Sequence, residues 1–122
     1  MKTYKGTKSN GGMGGQDIIV TEKWEVVGGV SMDELRRTSY HLKHVVRHSP
    51  DGSNWGYGGS GPADTALSIL TDCVGKKVAE VYYQGFRERF VSIWGESFEV
   101  TENEIKTWIQ VKEDQKKSVE RT

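Results

Sequence analysis

The chain has 122 residues, of which 34% are hydrophobic and 28% charged, enough for one domain with a modest core. Lys and Arg number 17 and Asp and Glu also 17, which argues against the electrostatic footprint of a nucleic-acid or membrane-surface protein. The single cysteine excludes an intramolecular disulfide, and no apolar run reaches the length of a signal peptide or membrane span, so the expected setting is the cytoplasm.

Residues 3–8 (TYKGTK) alternate weakly and are expected to form a first strand. Residues 9–16 (SNGGMGGQ) read as a plain, mobile hairpin loop, lacking aromatics and a following helix. The β-branched cluster Ile18, Ile19, Val20 and Thr21 predicts a second strand within 17–27, centred on 17–24. Gly28-Gly29 marks a turn. Ser31 and Glu34 are spaced as a capping box for a short helix over 32–37. Residues 39–47 (SYHLKHVVR) are expected as a third strand, closed by the Pro50-Asp51-Gly52 turn. His41, His44 and His48 would share a face on a helix. On a strand only His44 and His48 share parity, too far apart to chelate one ion, and no Cys or acidic pair completes a zinc spacing; no metal is expected.

The next stretch is the most informative. Gly56, Gly58, Gly59 and Gly61 are interleaved with Trp55, Tyr57 and Ser60, and Pro62 follows. Glycines allow a tightly curved backbone with exposed N–H groups, and Gly61-Pro62 suits an N-cap and first helical position. Asp64 then falls at N3, where its carboxylate favours the helix start. Ala66, Leu67, Leu70, Cys73 and Val74 form an apolar face, with Thr65, Ser68, Thr71 and Asp72 opposite, and Gly75 fits the C-terminal cap; a helix over 62–74 is predicted. Cys73, on the apolar face, is expected as a core residue rather than a nucleophile.

Two readings of the loop stand side by side. It is a structural turn that folds Trp55 and Tyr57 back onto the core, or it is a ligand cradle whose backbone N–H groups and helix dipole hold an anion. The cradle would comprise His48, Trp55, Tyr57, Gly58, Gly59, Ser60 and Gly61, with the aromatics stacking a flat group. Asp64 opposes it, since its charge would occupy the same donors. No Walker-type lysine and no dinucleotide-fold spacing is present.

HSPDG followed by WGYGGSGPADTALSIL resembles the hallmark of a family of small proteins of unknown function from bacteria and their phages. That pattern runs approximately His-Ser-Pro-x-Gly-Phe-x-Trp-Gly-Tyr-Gly-Gly-Ser-Gly-Pro-Ala-x-Leu-Ala. The match is strong over residues 48–70 and weak elsewhere, with Ser53 in place of the phenylalanine and Thr65 in place of the leucine. The resemblance implies a cytoplasmic phage or mobile-element protein of α+β type. It brings no established activity and no catalytic residues.

Farther along, Val78, Tyr82, Phe86, Phe90 and Ile93 recur at helical spacing, predicting a helix over 77–94. Gly85 would cost it about 1 kcal/mol relative to alanine, unless a neighbouring helix needs the room. Arg87 and Arg89 lie off the apolar stripe, as a solvated face or as a clamp for an anion. Residues 97–101 are expected as a short strand. Thr101 and Glu104 form a capping box for a last helix over 102–116, and the polar residues 113–122 are expected to fray.

Strand signals first and helix signals afterwards give a single α+β domain over 1–122, a small antiparallel sheet packed on two to three helices. Three function classes follow. The first is a small-molecule-binding protein for a nucleotide-like or phosphorylated ligand at loop 55–61 and the N-terminus of helix 62–74. The alternative is a protein–protein interaction module of phage or mobile-element type. An enzyme ranks last, since no nucleophile–base pair or paired carboxylates stand out. No cofactor, no strong nucleic-acid signature and no membrane association are expected; the aromatic content is compatible with a homodimer.

Overall fold

The computed structural model describes residues 1–23 and 37–120. The expected turn at Gly28-Gly29, the Ser31–Glu34 capping box and the end of the second strand beyond residue 23 lie outside them. The fold is α+β, as the order of signals predicts. Strands β1 (Lys2–Thr7), β2 (Ile18–Lys23), β3 (Arg37–His41) and β4 (Ser97–Thr101) form one antiparallel sheet in the order β3-β2-β1-β4. Helices α1 (Ser60–Val74), α2 (Lys76–Arg89) and α3 (Glu102–Glu120) complete the chain. No described helix is long and apolar enough to cross a membrane.

Strand periodicity sets the buried face of the sheet. Tyr4 pairs with Val20 on one side and Val100 on the other, and Gly6 with Ile18 and Phe98; these residues are buried, while Lys5, Thr7 and Glu99 on the opposite face are exposed. Gly6 is required by packing: a Cβ there would lie 2.6 Å from a Phe98 ring carbon and 2.7 Å from the Trp55 indole. The sheet thus has a gap at Gly6, and Trp55 fills it.

Helix α1 lies at the centre of the molecule, and every residue from Gly61 to Leu70 is buried. Ala66, Leu67 and Leu70 supply the expected apolar face. On the polar face Thr65 and Ser68 are also buried, because residues 42–54 are packed against them, while Thr71 and Asp72 are partly buried. Ser68 Oγ accepts the N–H of Val45 at 2.8 Å, Thr65 Oγ1 accepts the N–H of Asn54 at 2.9 Å, and Asp64 accepts from residues 47–49. This corrects the third strand. Pairing ends at His41, because the backbone donors of Val45, Arg47, His48 and Ser49 go to side chains of α1 instead of to a neighbouring strand.

Helix α2 stops at Arg89 rather than continuing to 94; a short 3₁₀ turn at Val91–Ile93 follows. Its buried stripe is Ala79, Tyr82, Tyr83 and Phe86, so Val78 and Ile93, expected inside, are exposed. Gly85 makes room for α3: a Cβ would sit 3.3 Å from the Trp108 ring. Gly75, with φ 89°, caps α1 as expected and also begins α2. Thr101 Oγ1 accepts the N–H of Glu104 at 3.2 Å, the capping interaction predicted for α3.

Candidate functional site

The loop that enters α1 is held from three sides. The first hold is Asp64, which has no exposed surface. Its Oδ2 accepts the N–H groups of Arg47 (3.0 Å), His48 (2.9 Å) and Ser49 (2.7 Å), and its Oδ1 shares the His48 donor at 3.0 Å. Burial alone would raise this carboxyl, but the three N–H groups, with His44 nearby, outweigh it and hold the carboxyl below its ordinary value. Asp64 therefore does not cap its own helix, as its N3 position suggested. It anchors the preceding segment.

The second hold is Trp55. Of the two roles open to it, stacking a ligand or folding back onto the core, it takes the second: it is fully buried, with Nε1 donating to the Gly95 carbonyl at 2.8 Å and its ring edge-on to Phe98. Its role is core packing over Gly6. Gly56, with φ 87°, turns the chain so closely past the Trp94 carbonyl that a Cβ would approach it to 2.8 Å.

The third hold is the glycine cluster of residues 9–16, which is more than a plain hairpin loop. Gln16 donates its N–H to the Ser53 carbonyl at 2.7 Å, and Asn54 Nδ2 donates to the carbonyls of Gly12 and Gly14. Gly15 and Gly52 touch backbone to backbone, since a Cβ on Gly15 would lie 2.6 Å from the Asp51 carbonyl oxygen. The sequence signal for this docking was the second run of glycines, but nothing local indicated its partner.

The remaining cradle residues surround the start of α1. Gly59, with φ 139°, is the N-cap and offers no side chain to the first turn. Tyr57 is 46% exposed and leans over Gly61, its hydroxyl 2.7 Å from where a Gly61 Cβ would sit. Lys8 donates to the Trp55 carbonyl at 2.6 Å and lies 5.8 Å from the Tyr57 ring centre. Two clefts flank this turn. One, of about 400 Å³, is lined by Asp51, Asn54, Tyr57, Ser60, Ser49 and Gly14 among others. The other, of about 230 Å³, is lined by His48, Gly59, Ser60, Ala63, Gln84 and Arg87. Ser60 borders both.

His48 stacks on Tyr83, with Nε2 3.1 Å from the Tyr83 hydroxyl. Arg87 is largely buried; its Nε has no hydrogen-bond partner among the described residues, and its guanidinium lies 3.5 Å from Glu88. Arg89 instead lies over Phe90, away from the clefts. The three histidines diverge. His41 meets Asp17 on the surface, and His44 Nε2 lies 2.9 Å from the Ser49 carbonyl with Nδ1 3.2 Å from Ser53 Oγ. No group of three metal-binding side chains occurs among the described residues.

A second polar cluster was not visible in the sequence. Asp72 accepts from the hydroxyls of Tyr4 (2.5 Å) and Tyr40 (2.7 Å) and from Lys2 Nζ (3.2 Å), tying the end of α1 to three strand residues. It is part of the framework.

Sequence comparison identifies one family: a family of unknown function, DUF6166, matches residues 4–111. The chain belongs to that family. The match takes in β1 from Tyr4 onward, β2, β3 and β4, α1 and α2, the first half of α3 and all residues of the candidate site. No curated protein and no solved structure matches the chain.

Proposed function

We propose that this DUF6166 chain binds a small phosphorylated or nucleotide-like molecule across the N-terminal turn of α1. One observation carries the reading: the turn begins at a glycine without a side-chain cap, and His48 and Arg87 line the cleft beside it. N–H groups at a helix start, reinforced by the dipole and a guanidinium, favour an anionic group. Asp64 weighs less against this reading than its position suggested, because its carboxylate accepts from the N–H groups of residues 47–49 rather than from the donors of the α1 turn. In this reading Ser60 and Gly61 hold the anionic group, Arg87 and His48 flank it, and Tyr57 covers a flat portion lying in the larger cleft. The hallmark of residues 48–70 supports a bacterial or phage setting, and the lone cysteine a cytoplasmic one.

The test is calorimetry of the parent chain with a panel of nucleotides and sugar phosphates, repeated with Tyr57→Ala and Arg87→Gln. Binding is expected with at least one compound and should weaken tenfold or more in each variant, with thermal midpoints within a few degrees of the parent. Absence of binding across the panel, or variants that bind like the parent, would refute the reading.

A further inference from the structure

A groove on another part of the molecule is unrelated to the loop. It lies between α2 and α3, with a volume of about 550 Å³, and Tyr82, Gly85 and Trp108 line it with Val81, Lys112 and Lys116. The absence of a side chain at Gly85 leaves a notch beside Trp108. Val81 is 61% exposed, an apolar group that neither the sheet nor α1 covers. The cations are organised on the aromatics: Lys116 Nζ lies 4.7 Å from the Tyr82 ring centre and Lys112 Nζ 5.8 Å from that of Trp108. The carboxylate of Glu113 is engaged by the Tyr82 hydroxyl.

We infer that this groove docks an acidic amphipathic helix of a partner protein. The apolar notch over Gly85 receives a side chain from the helix's apolar face, and Lys112 and Lys116 meet carboxylates on its flank. The dimensions agree, since Trp108 to Lys116 on α3 spans about 12 Å, two helical turns. Helix-in-groove recognition uses this combination of apolar anchors and charged borders. A second copy of the chain is a poor occupant. A two-fold interface sets the same patch against itself, which would bring Lys112 and Lys116 of one copy to those of the other. A nucleic acid is disfavoured by the apolar lining and by the balanced charge of the chain.

The experiment is selection from a display library of three-turn helical peptides against the full chain, followed by fluorescence anisotropy with the enriched peptides. Acidic peptides with apolar residues at helical spacing should be enriched. Their affinity should fall tenfold or more in the Lys112→Glu, Lys116→Glu double variant and in Val81→Asp. Tyr57→Ala should leave it unchanged, which separates this surface from the loop site. Versions with lysine in place of glutamate should not bind. The inference is overturned if no peptide is enriched, if basic peptides are, or if the variants bind as the parent does. It is equally overturned if sedimentation reveals a dimer that Val81→Asp dissociates.

Discussion

The Asp64→Asn substitution tests the central anchor of the site. Asparagine has nearly the same shape, so it can place its carbonyl oxygen where Oδ2 lies and still accept from Arg47, His48 and Ser49. It loses the charge, and its amide group then faces the His48 N–H that Oδ1 shares. Hydrogen bonds to a charged group exceed neutral ones by about 1 kcal/mol each, so three donors give a loss of about 3 kcal/mol. That is a large part of the roughly 6–18 kcal/mol expected for a domain of this size, and corresponds to a fall of about 10 °C in thermal midpoint. The effect also carries a pH signature. The folded-state carboxyl lies below its ordinary value, so its stabilisation is complete above the ordinary aspartate range and is lost as pH falls through the folded-state value. Urea unfolding of parent and variant at neutral pH and at successively lower pH measures both parts. The gap should be widest at neutral pH and narrow in acid. A variant as stable as the parent at pH 7, or a gap that does not change with pH, would refute the account of Asp64 as a charged anchor.

Other changes probe the core and the thiol. Leu67 and Leu70 have 1% and 0% of their surface exposed, so Leu→Ala at either position should lower the unfolding free energy by about 2–5 kcal/mol in a denaturant titration. Burial pushes the Cys73 thiol up to about 11; at pH 8 an aromatic disulfide reagent should modify it on the order of a hundredfold more slowly in the folded chain than in urea, and equal rates would contradict its placement.

Several features were legible in the sequence because they depend on neighbours along the chain. The β-branched run at 18–21, the start of α1 near Gly61-Pro62, the Gly75 cap and the Thr101–Glu104 cap all arise from local geometry, and each lies in the structure at or within a residue or two of its expected position. The same holds for the α+β class. Other features depended on partners distant in sequence. Residues 42–47 have the composition of a strand, yet after Leu42 donates to the Ile18 carbonyl the donors of Val45 and Arg47 go to the Ser68 and Asp64 side chains of α1. For Trp55 the sequence left a binding aromatic and a core residue open, and the gap left by Gly6, forty-nine positions earlier in the chain, shows why it is a core residue. Gly85 read as a helix weakness or as room for a neighbouring helix, and Trp108 packed against it decides for the second. A glycine run reveals that the backbone must bend or be approached closely, but only the packed chain decides what approaches it. For residues 55–61 that division is physical: Trp55 is buried in the core and Gly56 is turned tightly against the Trp94 carbonyl, where close packing decides their roles, while Tyr57 to Ser60 remain at the surface.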